Sequence, residues 1–143
     1  MTGVAQHESV VAEWAAVRTI ATFFRHLDDR DYDRASALFG EDGCWVRLGA
    51  RLTGARAIKA ALADRPATLA TRHVMSNVIA AAEPGESEVR VRYYITVFDD
   101  ESGTPVPVLA APAALFDADD RLRRVGHAWQ FVERAPRLVF KRG

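Results

Sequence analysis

The sequence predicts an α+β fold in which a curved, mainly antiparallel sheet wraps over a long N-terminal helix. Three observations carry this prediction. Residues 7–28 repeat their apolar side chains every three to four positions, and from about Arg72 onward the repeat shortens to two. The helix-period residues precede the strand-period ones instead of alternating with them, a pattern that segregates helices from an antiparallel sheet. With 143 residues, the chain is long enough to bury one core and is read as one domain, 1–143.

The first helix, His7 to Asp28, carries the stripe Val10, Trp14, Val17, Ala21, Phe24, and the next four-residue step lands on Asp28. A carboxylate in the slot of a core residue either ends the helix harmlessly or does chemistry, because an unpaired buried charge is costly. At an apolar, helix C-terminal site its pKa is expected to rise, which would suit a general base. Asp31 is placed to cap a second helix, Tyr32 to about Phe39. Gly40 and Gly43 break the chain, Cys44 to Leu48 and Arg51 to Thr53 read as two short strands around Gly49, and Ala55 to Ala63 reads as a third helix ended before Pro66.

Four longer strands follow, at 73–82, 88–99, 106–116 and 122–133, separated by 83–86, 100–105 and the turn-like Asp117, Ala118, Asp119, Asp120. In the second, Val89, Val91, Tyr93, Ile95 and Val97 share the inner face, and Asp99 continues their phase. In the first, His73, Met75, Asn77 and Ile79 share a face, which suggests a polar cluster within a cavity. In the last, Val125, His127, Trp129 and Phe131 share a face, with a bulge near Arg123 and Arg124. The strand at 106–116 is rich in alanine, leaving room for a ligand, and Pro107 and Pro112 mark it as an edge or a bend.

Composition narrows the function. Nineteen basic and 19 acidic residues cancel, so no global field favours nucleic acid. Cys44 is the only cysteine and reads as a packed thiol in a reducing, cytoplasmic setting. No apolar segment approaches a membrane span, and no leader is evident. His7, His26, His73 and His127 lack close ligand spacing, so no metal is assigned.

The stretches L-D-D-R-D-Y-D-R-A-S-A-L-F (27–39), G-A-R-A-I-K-A-A-L (54–62), R-H-V-M-S-N-V (72–78) and F-D-A-D-D-R-L (116–122) resemble the SnoaL-like proteins of the nuclear transport factor 2-like superfamily, whose relatives include ketosteroid isomerase. The resemblance implies a cone-shaped sheet and three helices enclosing an apolar pocket, and dehydration, isomerisation or cyclisation of a hydrophobic oxygenated metabolite such as a polyketide or steroid-like ring, with no cofactor. Scytalone dehydratase is similar around Asp28 and His73, which become the expected acid and base, with Leu27 standing where that enzyme has a tyrosine. Asp99 is a third catalytic candidate. Tyr32, Trp45, Met75, Asn77, Tyr93, His127 and Trp129 are the candidates for binding or orienting a small hydrophobic substrate. The chain is also similar, over 72–78 and the segments D-R-L-R-R-V and W-Q-F-V-E-R, to the β subunit of ring-hydroxylating dioxygenases, which leaves a non-catalytic binding or oligomer-building module as the alternative. A homodimer through the outer sheet face bearing Tyr94, Thr96 and Phe98 is expected, as in those relatives.

Overall fold

A computed structural model describes residues 3–82, 85 and 87–143. Three helices, α1 (Gly3–Asp28), α2 (Tyr32–Ala37) and α3 (Ala55–Ala63), pack on one face of a curved seven-stranded sheet made of β1 (Cys44–Arg47), β2 (Ala50–Thr53), β3 (Ala70–Ala82), β4 (Glu88–Asp100), β5 (Ala114–Val125), β6 (Ala128–Arg134) and β7 (Arg137–Lys141). The order is β2-β1-β6-β5-β4-β3, with β7 pairing the start of β5. All pairs are antiparallel except β1 with β6. The α+β fold is as expected from the change of period.

The phase of α1 differs from the sequence expectation. Its buried face is Ala16, Ile20, Phe23, Phe24 and Leu27, whereas Val10 and Trp14 are 57% and 67% exposed. Two apolar stripes compete on this helix, and the aromatic pair Phe23 and Phe24 selects the one that faces the sheet. Phe23 lies at the centre of the core, edge-on to Phe39, Trp45 and Phe131 with ring centroids 5.6, 5.6 and 5.3 Å away. Asp28 flanks this face instead of continuing it.

The Asp31 carboxylate accepts the Arg34 N–H at 3.1 Å and caps α2 as expected. At Gly43 a Cβ would collide with the carbonyl oxygens of Phe39 and Phe131, so only glycine lets the chain pass between α2 and β6.

Three further expectations fail. Residues 106–113 lie outside the sheet, because Pro107 and Pro112 cannot donate to a ladder and Val106, Val108 and Leu109 find no cover there. Of the alanines expected there, Ala114, in β5, lines the cavity between the sheet, α1 and α3, and Ala110 and Ala111 line a separate, more open one. Asp117 to Asp120 form no turn; they run through the middle of β5, opposite Tyr94 to Val91. Cations from other strands make this possible, with Arg137 on Asp117, Arg90 on Asp119 and Arg134 on Asp120. The chain reverses instead at Gly126, which takes φ 63. On β3, the register shifts between Ser76 and Ile79, with Asn77 at φ 50, and this bulge turns Asn77 and Ile79 outward while His73 and Met75 keep their inward phase. The break expected at 83–86 includes Glu83, Pro84 and Glu86, which lie outside the described residues.

Candidate active site

The end of α1 meets the start of β3 at a single acid–imidazole pair. His73 Nδ1 lies 2.5 Å from Asp28 Oδ1, and the His73 backbone N–H donates to Asp28 Oδ2 at 2.9 Å. The Thr71 hydroxyl donates to Oδ1 at 2.9 Å. Both side chains are close to fully buried, at 9% and 12% exposure. Phe24 stacks on the imidazole at 5.1 Å with an interplanar angle of 11° and fixes its plane. Burial pushes the Asp28 carboxyl up, but the His73 ring bond and charge, the His73 N–H and the Thr71 hydroxyl outweigh it and hold the carboxyl below its ordinary value. The expected rise therefore gives way to a fall, because three donors converge on this carboxylate. Asp28 stays ionised, and it orients the imidazole in place of capping its helix.

His73 forms part of the wall of a cavity of about 340 Å³ between the sheet, α1 and α3. The wall is largely apolar, with Leu27, Leu62, Ile95, Val97 and Phe116, and its polar groups are Arg47, Arg65, Thr71, His73, Asp99 and Arg134. A volume of this size suits a small molecule. Asp28 is not on this wall. With Nδ1 held by Asp28, Nε2 is the imidazole nitrogen with no protein partner among the described residues.

Two networks hold the polar wall in place. Arg65 donates to the Leu27 carbonyl at 3.3 Å, to the Tyr32 hydroxyl at 3.2 Å and to the Thr71 hydroxyl at 3.1 Å. The chain Arg65–Thr71–Asp28–His73 is thus continuous from the segment after α3 to the imidazole. Deeper in, Arg134 donates to the Tyr93 hydroxyl at 2.8 Å and to Asp120 Oδ2 at 3.2 Å, and Tyr93 donates to the same oxygen at 2.5 Å. The guanidinium lies over Phe23, Phe24 and Trp45 at 5.1, 4.9 and 5.3 Å. Complete burial raises the Asp120 carboxyl against the pull of Arg134, and burial likewise raises the Tyr93 phenol well above its ordinary range.

The other sequence candidates separate. Asp99 and Trp45 reach the cavity wall, although Asp99 is tied to Arg142 at 2.9 Å. Tyr32 supports Arg65 without lining the cavity, and Met75 packs against the core beside it. Tyr93 is buried with Asp120. Asn77 is exposed beyond the bulge, and His127 is exposed in the β5–β6 hairpin, where the reversal at Gly126 removes it from the inner face. Trp129 lines a separate cleft near the start of α1, with His7 and Arg124. Arg47, Arg65, Thr71, Asp120 and Arg134 escape sequence reading because each comes to the cavity or to its partner only when separate elements pack together. Thr71 alone carried a clue, two positions before His73 on the same strand face.

Comparison with known proteins agrees with the fold. The family model described as a SnoaL-like domain matches residues 8–135. No curated protein matches the chain at a significant level. Among solved structures, an NTF2-like protein with a cystatin-like fold from Novosphingobium aromaticivorans superposes with a TM-score of 0.75 at 22% identity, over 91% of this chain and 83% of that one. A provisionally named scytalone dehydratase from the same organism gives 0.74 at 22% identity, over 92% and 86%. ActVI-ORFA from Streptomyces coelicolor gives 0.69 at 17% identity, over 87% and 94%. At these identities the likeness is one of fold, and the match of the family model over nearly the whole chain places this protein in the SnoaL-like family.

Proposed function

We propose that this chain is a cofactor-independent acid–base enzyme, a dehydratase, isomerase or cyclase acting on a hydrophobic oxygenated ring. The observation that carries this reading is the Asp28–His73 pair, with its imidazole on the wall of an apolar cavity. In the dehydration form, His73 Nε2 removes the proton from the carbon next to a carbonyl, leaving an enolate. Asp28 stabilises the imidazolium that forms. The imidazolium then gives the same proton to the β-hydroxyl as its C–O bond breaks, so that water leaves and the imidazole is neutral again. Isomerisation and ring closure start from the same enolate and differ in where the proton or the new bond goes. The protein works as a homodimer through the outer face of β4, where Tyr94 is 42% exposed.

The shared first step can be tested without the natural substrate. 1-Tetralone incubated with the protein in D₂O should exchange its α-hydrogens faster than in buffer, read by NMR. His73→Ala should lower the protein-dependent rate by about 10²–10⁴. Equal rates for the variant and the parent protein would refute the assignment.

A further inference from the structure

The charges on the cavity wall do not balance locally, although those of the chain do. His73 is matched by Asp28, Arg134 by Asp120, and Asp99 by Arg142. Arg65 donates only to neutral oxygens, those of Leu27, Tyr32 and Thr71. Arg47 donates to no described residue; its guanidinium lies over the Trp45 ring at 5.5 Å, partly buried at the end of β1. Burial, with the charge of nearby Arg65, weakens the hold of Arg47 on its proton, and Asp64 and Tyr32 offset this only through space. The wall thus carries two guanidinium charges, Arg47 and Arg65, with no carboxylate against either among the described residues.

Desolvating a cation without a partner is unfavourable. An Arg fork beside an aromatic ring, with its N–H groups unspent, can take two oxygens in its plane, the geometry of a carboxylate. We infer that the substrate carries a carboxylate, which binds Arg47 at the cavity wall beside Arg65 while the apolar ring lies against Leu62, Ile95 and Phe116. This inference rests on the reading of the cavity as the place of reaction. Arg47 is then a specificity-determining residue, and His73 remains the group that moves the proton.

The probes are 2-naphthoate and its neutral isostere 2-naphthamide, titrated by calorimetry. The protein should bind the carboxylate about tenfold or more tightly than the amide, the range expected of a charge-assisted bond. Arg47→Met should remove that preference, and a far-UV circular dichroism spectrum and melting temperature equal to the parent's show that the variant is folded. Arg47→Lys, with charge but no fork, should fall between. Equal affinity for both probes, no saturable binding of naphthoate, or a preference that survives in Arg47→Met would overturn the inference. The tetralone exchange reads the acid–base step separately. A protein that exchanges tetralone but does not prefer naphthoate loses only the carboxylate assignment, and one that prefers naphthoate through Arg47 but exchanges nothing loses only the acid–base reading.

Discussion

Asp28→Asn separates the chemical role of the carboxylate from its structural one. The carboxylate accepts from the imidazole, from the His73 N–H and from the Thr71 hydroxyl. An amide has one acceptor oxygen and presents its NH₂ to one of those donors. The lost charge-assisted bond costs about 1.5–3 kcal/mol, and a donor facing a donor costs ~1 kcal/mol more. At 9% and 12% exposure the pair is little screened by solvent. The imidazole also loses the group that fixes its tautomer, so tetralone exchange should fall by about 10²–10⁴. The stability difference has a definite sign with pH. The folded carboxyl lies below its ordinary value of 3.8, so its contribution is complete above that value and disappears as pH falls through the folded value. Urea unfolding of the parent and Asp28→Asn proteins should therefore differ at neutral pH and converge in acid. Exchange at the parent rate in Asp28→Asn would refute the role given to Asp28, and a stability gap independent of pH would refute the account of its pKa.

Two further predictions concern the structure around the site. Phe23→Ala removes the ring that meets Phe39, Trp45 and Phe131 and should cost about 3–5 kcal/mol in urea unfolding, because this closely packed position cannot collapse. Arg134→Met leaves Asp120 at 0% exposure without its cation; it should destabilise by about 3–5 kcal/mol, and adding Asp120→Leu should recover much of that loss in a double-mutant cycle.

The three helices and the strands up to β4 were legible with most of their limits, because they depend on local period, on caps such as Asp31 and on breaks such as Gly43; beyond β4 the order was not, since β5 (Ala114–Val125) joins parts of two expected strands and β7 was not expected. Errors arose where a distant residue reversed a local preference. Asp117 to Asp120 have the composition of a turn, yet Arg137, Arg90 and Arg134 neutralise them within β5. The bulge at Asn77 exchanges the faces of β3 after Met75, and strand alternation cannot register one extra residue in advance. Val10 and Trp14 sit on an apolar stripe as regular as the buried one, and periodicity alone does not say which stripe meets the sheet.

For the site, the sequence by itself singled out two residues that the fold brings together, Asp28 at the helix end, through its resemblance, and His73 on a strand face, through phase and resemblance. Only the tertiary structure decided their placement, with His73 on the cavity wall and Asp28 behind it, its carboxyl held below the ordinary value. The same holds for the guanidinium charges of Arg47, Arg65 and Arg134 around that cavity. Phase along one element says which side a residue takes, whereas hydrogen bonds and charge balance depend on what other elements bring to that side, as His73 to Asp28, Leu27 to Arg65 and Tyr93 to Arg134.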